Sequence, residues 1–137
     1  MKIVCLSILF LLSSLSLTFG QKLIGIQKEG AAEFVANEMK GFNLDNSSKN
    51  ESFNYLKFIN SSGTKTLIVF FSEENISTMT RMICDYSEFD FVKEDLNSKY
   101  KKNSPKTWEY IIGNEKFEIT LEEKEWYFVL TTKKKVK

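Results

Sequence analysis

Histidine is absent from the chain, and three other residue types are scarce: 137 residues include one arginine (Arg81), one proline (Pro105) and two cysteines. Without histidine, the chain has no Ser-His-Asp or Cys-His nucleophile pair and no histidine proton shuttle or metal ligand. Cys84 is the single cysteine beyond residue 20, so we expect neither an internal disulfide nor a Cys-x-x-Cys zinc site. The sequence therefore predicts no catalytic residues, no cofactor and no metal ion.

The chain also lacks a large net charge of either sign, because it has 19 lysine and arginine residues and 18 aspartate and glutamate residues. A surface that binds nucleic acid carries net positive charge, which displaces counterions from the phosphates. The balance therefore argues against a nucleic-acid partner. Apolar residues make up 42% of the chain, an ordinary fraction for a globular domain that argues against disorder.

The N-terminus contains a compact apolar run. Lys2 precedes the apolar residues Ile3–Leu12, and small or neutral residues stand one and three places before Gln21. This pattern is typical of a secretory signal peptide, and the run is shorter than the roughly 20 residues of a membrane span. We predict a signal over residues 1–20 and one domain over residues 21–137. The mature protein would be exported, periplasmic or secreted, with no stable membrane insertion.

The sequence contains four Asn-x-Ser sequons, at Asn46, Asn50, Asn60 and Asn75. In a eukaryotic protein these would be glycan acceptors on loops, whereas in a bacterial protein they carry no meaning. The short signal ending in Phe-Gly-Gln favours the bacterial interpretation.

Two segments carry apolar residues at the steps of three and four that place them on one face of a helix. The first begins between Gln27 and Ala31 and ends near Gly41, and the second runs from a cap at Ser87 towards Pro105. Their apolar stripes are Ala31, Phe34, Val35, Met39 and Phe42 in the first segment and Phe89, Val92, Leu96 and Tyr100 in the second. The polar stretch 43–52 is predicted to be a loop.

Six further segments are strand-like, several with apolar residues at a period of two. They are residues 53–60, 65–72, 76–86, 107–112, 116–123 and 126–132. The element order is therefore α-β-β-β-α-β-β-β. Because short connections between successive strands favour hairpins, we predict an α+β fold: a mainly antiparallel sheet of about six strands with two helices packed on it.

Several polar residues have the composition of a functional site. Four glutamates between positions 118 and 125 could act as paired carboxylates in glycoside hydrolysis or bind a cation, although the alternation of that strand favours a solvated face. Arg81 could anchor a carboxylate or phosphate of a ligand, or pair with Asp85. Cys84 is expected to fill the core rather than to react.

Apolar residues occur on both sides of several strands. Since helices cover one face of a two-layer sheet and a monomer rarely exposes a large apolar patch, something must cover the second face. The cover could be internal (the first helix or residues 22–26), a protein partner or a second copy of the chain, or an apolar ligand. The candidate interaction surface opposite the main core comprises Phe58, Phe70, Tyr127 and Val129.

These patterns together predict a small exported, non-enzymatic binding or protein-interaction domain. Its partner would be another protein or a second copy in a homodimer. A carrier of an apolar small molecule between sheet and helices, and a carboxylate-dependent hydrolase, are the alternatives.

Overall fold

The computed structural model describes residues 22–46 and 52–136. Two helices, α1 (Lys28–Glu38) and α2 (Phe89–Lys99), accompany eight strands, and the 3-10 turn Tyr86–Glu88 precedes α2. The strands are β1 (Phe42–Leu44), β2 (Tyr55–Asn60), β3 (Lys65–Phe71), β4 (Ser77–Asp85), β5 (Lys101–Ser104), β6 (Thr107–Ile112), β7 (Glu115–Glu123) and β8 (Tyr127–Lys134). None of the helices in these two ranges has the length and apolar content needed to cross a membrane. The signal predicted over residues 1–20 lies outside the described residues.

All eight strands belong to one antiparallel sheet, in the order β1-β2-β3-β4-β8-β7-β6-β5. Each half of the chain is a helix followed by a four-stranded meander; α1 with β1–β4 is the N-terminal half, and α2 with β5–β8 is the C-terminal half. The halves meet where β4 pairs with β8 and Met82 lies opposite Leu130. The predicted α+β class and antiparallel sheet are confirmed, but the sheet has eight strands rather than about six.

The two additional strands are the outermost ones. β1 was not predicted as a strand: Phe42 was assigned to the first helical stripe and the next two residues to the polar loop. A strand of three residues is too short to show a period. It pairs Leu44 with Phe58 of β2. β5 was predicted to continue the second helix, yet that helix ends at Lys99. All four β5 residues are exposed, so the strand is held by its pairing with β6 and by polar and cation–π contacts such as that of Lys102 with the Trp108 ring. No apolar pattern therefore reveals it.

Helix α1 packs on the sheet through the predicted apolar stripe. Ala31, Val35 and Met39 are buried there. The helix ends before Gly41, whose φ of +93° is readily adopted only by glycine and turns the chain into β1. Phe42, predicted to be the last residue of the stripe, therefore begins a strand instead.

Helix α2 is fixed to the sheet by burial and by one hydrogen bond. Val92 and Leu96 are buried, and the fully buried Trp108 donates from Nε1 to Asn97 Oδ1 at 2.9 Å. Ser87 does not cap this helix as predicted. Its backbone N–H instead donates to the Asp85 carboxylate at 3.0 Å, which caps the 3-10 turn.

Both helices lie on the same face of the sheet. Side chains alternate between the two faces along a strand, and directly paired residues share a face. Leu67 pairs with both Phe58 and Met82 and belongs to the cluster that packs under α1. A second cluster packs under α2, and Met82 contacts both. We call this side the helix face and the opposite side the open face.

Candidate functional site on the open face

The open face of the N-terminal half is mostly apolar. Strands β2, β3 and β4 direct Tyr55, Ile68 and Ile83 to it. With their neighbours they form a shallow depression of about 500 Å³, here called the apolar patch. It is lined by Phe53, Tyr55, Lys57, Thr66, Ile68, Phe70, Arg81 and Ile83. These residues come from the three strands and the segment just before β2, so the depression has a floor but no opposing wall among them.

Three of the four predicted surface residues do lie on the open face. Phe70 is half-buried within the apolar patch, where its ring centroid lies 6.3 Å from that of Tyr55. Tyr127 is 42% exposed beside the patch and pairs with Asp85. Val129 pairs with Ile83 and is 8% exposed, so neighbouring side chains already bury it.

Phe58 is a correction to the predicted surface. It is 3% exposed and belongs to the core on the helix face. Strand β2 is apolar on both sides, so alternation separates Phe58 from Tyr55 but does not say which of them meets the helices. The register does, because Phe58 pairs with Leu67 under α1. Tyr55 and Ile68, which the prediction did not single out, form the surface instead.

Internal cover of the open face, one of the predicted alternatives, is not found among the described residues. Helix α1 packs on the helix face, and Leu23 is fully buried in the same cluster. The backbone of Ile26 accepts a hydrogen bond from Ser77 N at 2.8 Å, which ties residues 22–26 to the start of β4. The two segments considered as an internal cover therefore pack in the main core instead.

Arg81 projects from β4 into the apolar patch. Its guanidinium carbon lies 5.7 Å from the centroid of the Phe70 ring, within the range of a cation–π contact. Across residues 22–46 and 52–136, no carboxylate forms an ion pair with it. The expected pairing with Asp85 does not occur. The pKa of Asp85 is instead lowered, chiefly by the hydrogen bond from the Ser87 backbone.

Lys57, the second cation of the apolar patch, is neutralised by a neighbouring acid. Its Nζ lies 3.3 Å from a carboxylate oxygen of Asp45. The backbone N–H of Asp45 also donates to the Lys57 carbonyl at 2.8 Å. The two lining cations therefore differ, because Lys57 has an acidic partner within reach and Arg81 points over an aromatic ring.

On the open face of the C-terminal half, the carboxylate of Glu109 is paired with two lysines. Glu109 is 8% exposed; its carboxylate accepts a hydrogen bond from Lys135 and lies 3.8 Å from Lys116 Nζ. The hydrogen bond from Lys135 is the main reason that the pKa of Glu109 lies below its ordinary value. Opposite charges thus satisfy one another around Glu109. The depression beside it is smaller than the apolar patch, about 250 Å³, and is lined by Ile111, Asn114, Lys116, Lys135 and Val136.

The glutamates considered for catalysis do not converge. Glu118 and Glu122 lie on the same face of β7, four residues apart, which corresponds to about 13 Å along a strand. Glycosidase carboxylates lie about 5–9.5 Å apart. Glu122 forms an ion pair with Lys124 at 2.6 Å, and Glu123 accepts a hydrogen bond from Tyr86 Oη at 2.7 Å. This spacing and pairing do not fit paired acid–base catalysis.

Cys84 lies on the helix face and is 1% exposed. Burial raises the pKa of its thiol to about 12, so almost none of it is the reactive thiolate at neutral pH. The predicted burial is confirmed. In the part of the chain that the structure describes, no group of three or more Cys, Asp or Glu side chains could hold a metal ion.

Comparison of the chain with protein-family models, with curated proteins and with solved structures found no match.

Proposed function

We propose that this chain is a small exported, non-enzymatic binding protein that docks another protein on its apolar patch. The supporting observation is the apolar lining of an open-face depression of about 500 Å³. Contiguous apolar surface on a monomer commonly marks an interaction site, because leaving it in water costs free energy.

The residue types of the apolar patch support a protein interface. Aromatic side chains and arginine dominate the binding energy of protein interfaces. The patch combines three aromatic residues with one arginine, and Phe53 at its border is 62% exposed. An aromatic side chain this exposed gains free energy when a partner covers it.

The shape of the apolar patch favours a protein over a small molecule. Small-molecule sites bury about 70–90% of the ligand surface between several walls. The lining residues of the patch belong to one sheet face and its border, so a small ligand would keep its outer side in water. A partner protein supplies the missing wall from its own surface.

A photo-crosslinking experiment tests this proposal. A benzophenone side chain replaces Phe70 in one variant and Phe91, a 59% exposed residue of α2, in the control. We expect one partner protein to crosslink at position 70 and not at position 91, in cells that produce the chain. Equal labelling at both positions, or none at position 70, contradicts docking on the apolar patch.

A matched pair of isoleucine substitutions then measures binding to the purified, identified partner. Ile68→Lys places a charge in the apolar patch, and Ile111→Lys places one on the open face of the C-terminal half. We expect calorimetry to show at least a tenfold weaker complex for Ile68→Lys and unchanged affinity for Ile111→Lys, with both variants folded by circular dichroism. Equal affinities would remove the patch from the interface.

A groove between α1 and β1 supports the carrier as a second candidate. Its volume is about 480 Å³, and Val35, Met39 and Leu44 are among its lining residues. An apolar ligand there would appear in native mass spectrometry of protein purified from its source as an added mass that Met39→Lys abolishes. A wild-type spectrum with no added mass counts against a carrier.

A further inference from the structure

Arg81 is the single arginine of the chain, and its place within the apolar patch has a chemical consequence. It pairs with Ile68 of β3 on one side and with Thr131 of β8 on the other. A guanidinium on an apolar surface binds an anion more strongly than one surrounded by water, because the partner that covers the patch also excludes water from the ion pair.

Of the two cations in the apolar patch, Arg81 is the one that could bind an acidic group of a partner. Lys57 has Asp45 as its partner at 3.3 Å, and Glu122, the nearby acid of β7, has Lys124 at 2.6 Å. The pKa of Glu122 is lowered chiefly by the hydrogen bond from Lys124, and the more distant charge of Arg81 adds a smaller contribution. Among residues 22–46 and 52–136, Arg81 has no such ion pair. The two lining cations are accompanied by no lining acid.

The contact with Phe70 prepares Arg81 for a planar acid. With its guanidinium carbon held 5.7 Å from the centroid of the ring, the side chain has fewer conformations to lose on binding. A guanidinium presents a fork of N–H donors that matches the two oxygens of a carboxylate. A cation–π contact occupies none of those donors with an acceptor atom.

We propose that Arg81 is the anchor for a carboxylate of the docked protein, whose interface presents an aspartate or glutamate flanked by apolar side chains. The apolar side chains would lie on Ile68, Phe70 and Ile83 while the carboxylate accepts hydrogen bonds from Arg81. This inference rests on the proposed docking function and defines the chemistry of the partner.

A second copy of the chain fits the apolar patch less well. A two-fold dimer that stacks patch on patch would bring the Arg81 side chains of the two copies towards each other, and no acid lines the patch to pair with them. Like charges in an interface oppose association. A different protein that brings its own carboxylate removes this repulsion.

The test uses the full mature chain and a displayed library of random 12-residue peptides as the probe. We expect the selected peptides to share one Asp or Glu between apolar residues, and their binding to be lost in Ile68→Lys. One selected peptide and its variant with the acid replaced by its amide are then synthesised. Their dissociation constants are measured by calorimetry on four proteins: wild type, Arg81→Gln, Arg81→Lys and the control Lys116→Gln.

We expect Arg81→Gln to weaken the acidic peptide about tenfold to a hundredfold, the range for a hydrogen bond to a charged group. Arg81→Lys should give an intermediate loss because it keeps the charge without the fork. Lys116→Gln should bind as wild type does. The amide peptide should bind wild type and Arg81→Gln equally, since the two changes remove the same interaction.

The outcomes separate the anchor from the docking function. Peptides that need Ile68 but show no preference for an acid would contradict the role of Arg81 as an anchor. Independent contributions of the peptide acid and Arg81 to binding would contradict it as well. Docking on the apolar patch would still be supported in both cases. If no selected peptide depends on Ile68, both proposals fail. A dimer in sedimentation that Ile68→Lys dissociates would overturn the anchor in favour of a second copy.

Discussion

The two halves of the molecule share one architecture, a helix followed by four antiparallel strands, but they use the open face differently. Under each helix lies a buried apolar cluster. On the open face, the N-terminal half presents isoleucine and aromatic side chains around Arg81, whereas Glu109 of the C-terminal half pairs with lysines. The helix faces are alike because each must bury its helix. The open faces differ, and under the proposed function this difference reflects docking of a partner on the N-terminal half.

The largest expected effect is a loss of stability when a buried aromatic ring is removed from the helix face of either half. Phe58→Ala in the N-terminal half and Trp108→Ala in the C-terminal half each remove a buried aromatic ring, at 3% and 0% exposure. Each should lower the free energy of unfolding by about 3–5 kcal/mol, measured by urea denaturation. A loss below about 1 kcal/mol for Phe58→Ala would contradict its burial and favour the surface position predicted from the sequence.

The second prediction concerns the paired charges of the C-terminal half. The pKa of Glu109 is lowered, chiefly by the hydrogen bond from Lys135. A carboxyl group whose pKa is lower in the folded than in the unfolded chain stabilises the fold above its unfolded pKa, and this contribution disappears as pH falls through the folded value. Wild-type thermal midpoints should therefore fall on acidification from about pH 5 to pH 3. Glu109→Gln should show a smaller fall over that interval, starting from a lower midpoint. Parallel pH profiles of the two proteins would show that the pair contributes nothing.

The smallest expected change in stability belongs to the open face beside the apolar patch. Tyr127 is 42% exposed, so Tyr127→Ser should change the free energy of unfolding by less than about 1 kcal/mol. Because Tyr127 lies beside the patch rather than in its lining, the same change should weaken partner binding less than Phe70→Ser does. Titration calorimetry with the identified partner measures both. If Tyr127→Ser weakens binding more than Phe70→Ser does, the interface is centred nearer to β8 than the apolar patch is.

The sequence was sufficient for the elements that bury apolar side chains at a regular period. Six strands and both helices were predicted in this way. The spacing of Val92 and Leu96, for example, indicated the buried side of the second helix. β1 was missed because it is three residues long, and β5 because all its side chains are exposed. Neither strand carries the period on which the prediction depends.

The candidate site was less predictable because it depends on the register between strands. Phe70, Tyr127 and Val129 were assigned to the second face and lie there, but β2 is apolar on both sides and its register places Phe58 in the core. The neighbours of the Arg81 side chain could not be predicted from the sequence either. The sequence offered Asp85 as its partner, and the fold uses that carboxylate to cap the turn at Ser87.

Hydroxyl-radical footprinting of the free and partner-bound protein tests the docking surface most directly, because it reads the exposure of individual side chains. On binding, we expect oxidation to decrease at Phe53, Tyr55 and Phe70, while Phe91 and Trp126, exposed at 59% and 76%, remain as reactive as before. Protection at Phe91 or Trp126 with unchanged reactivity across the apolar patch would contradict docking on the open face.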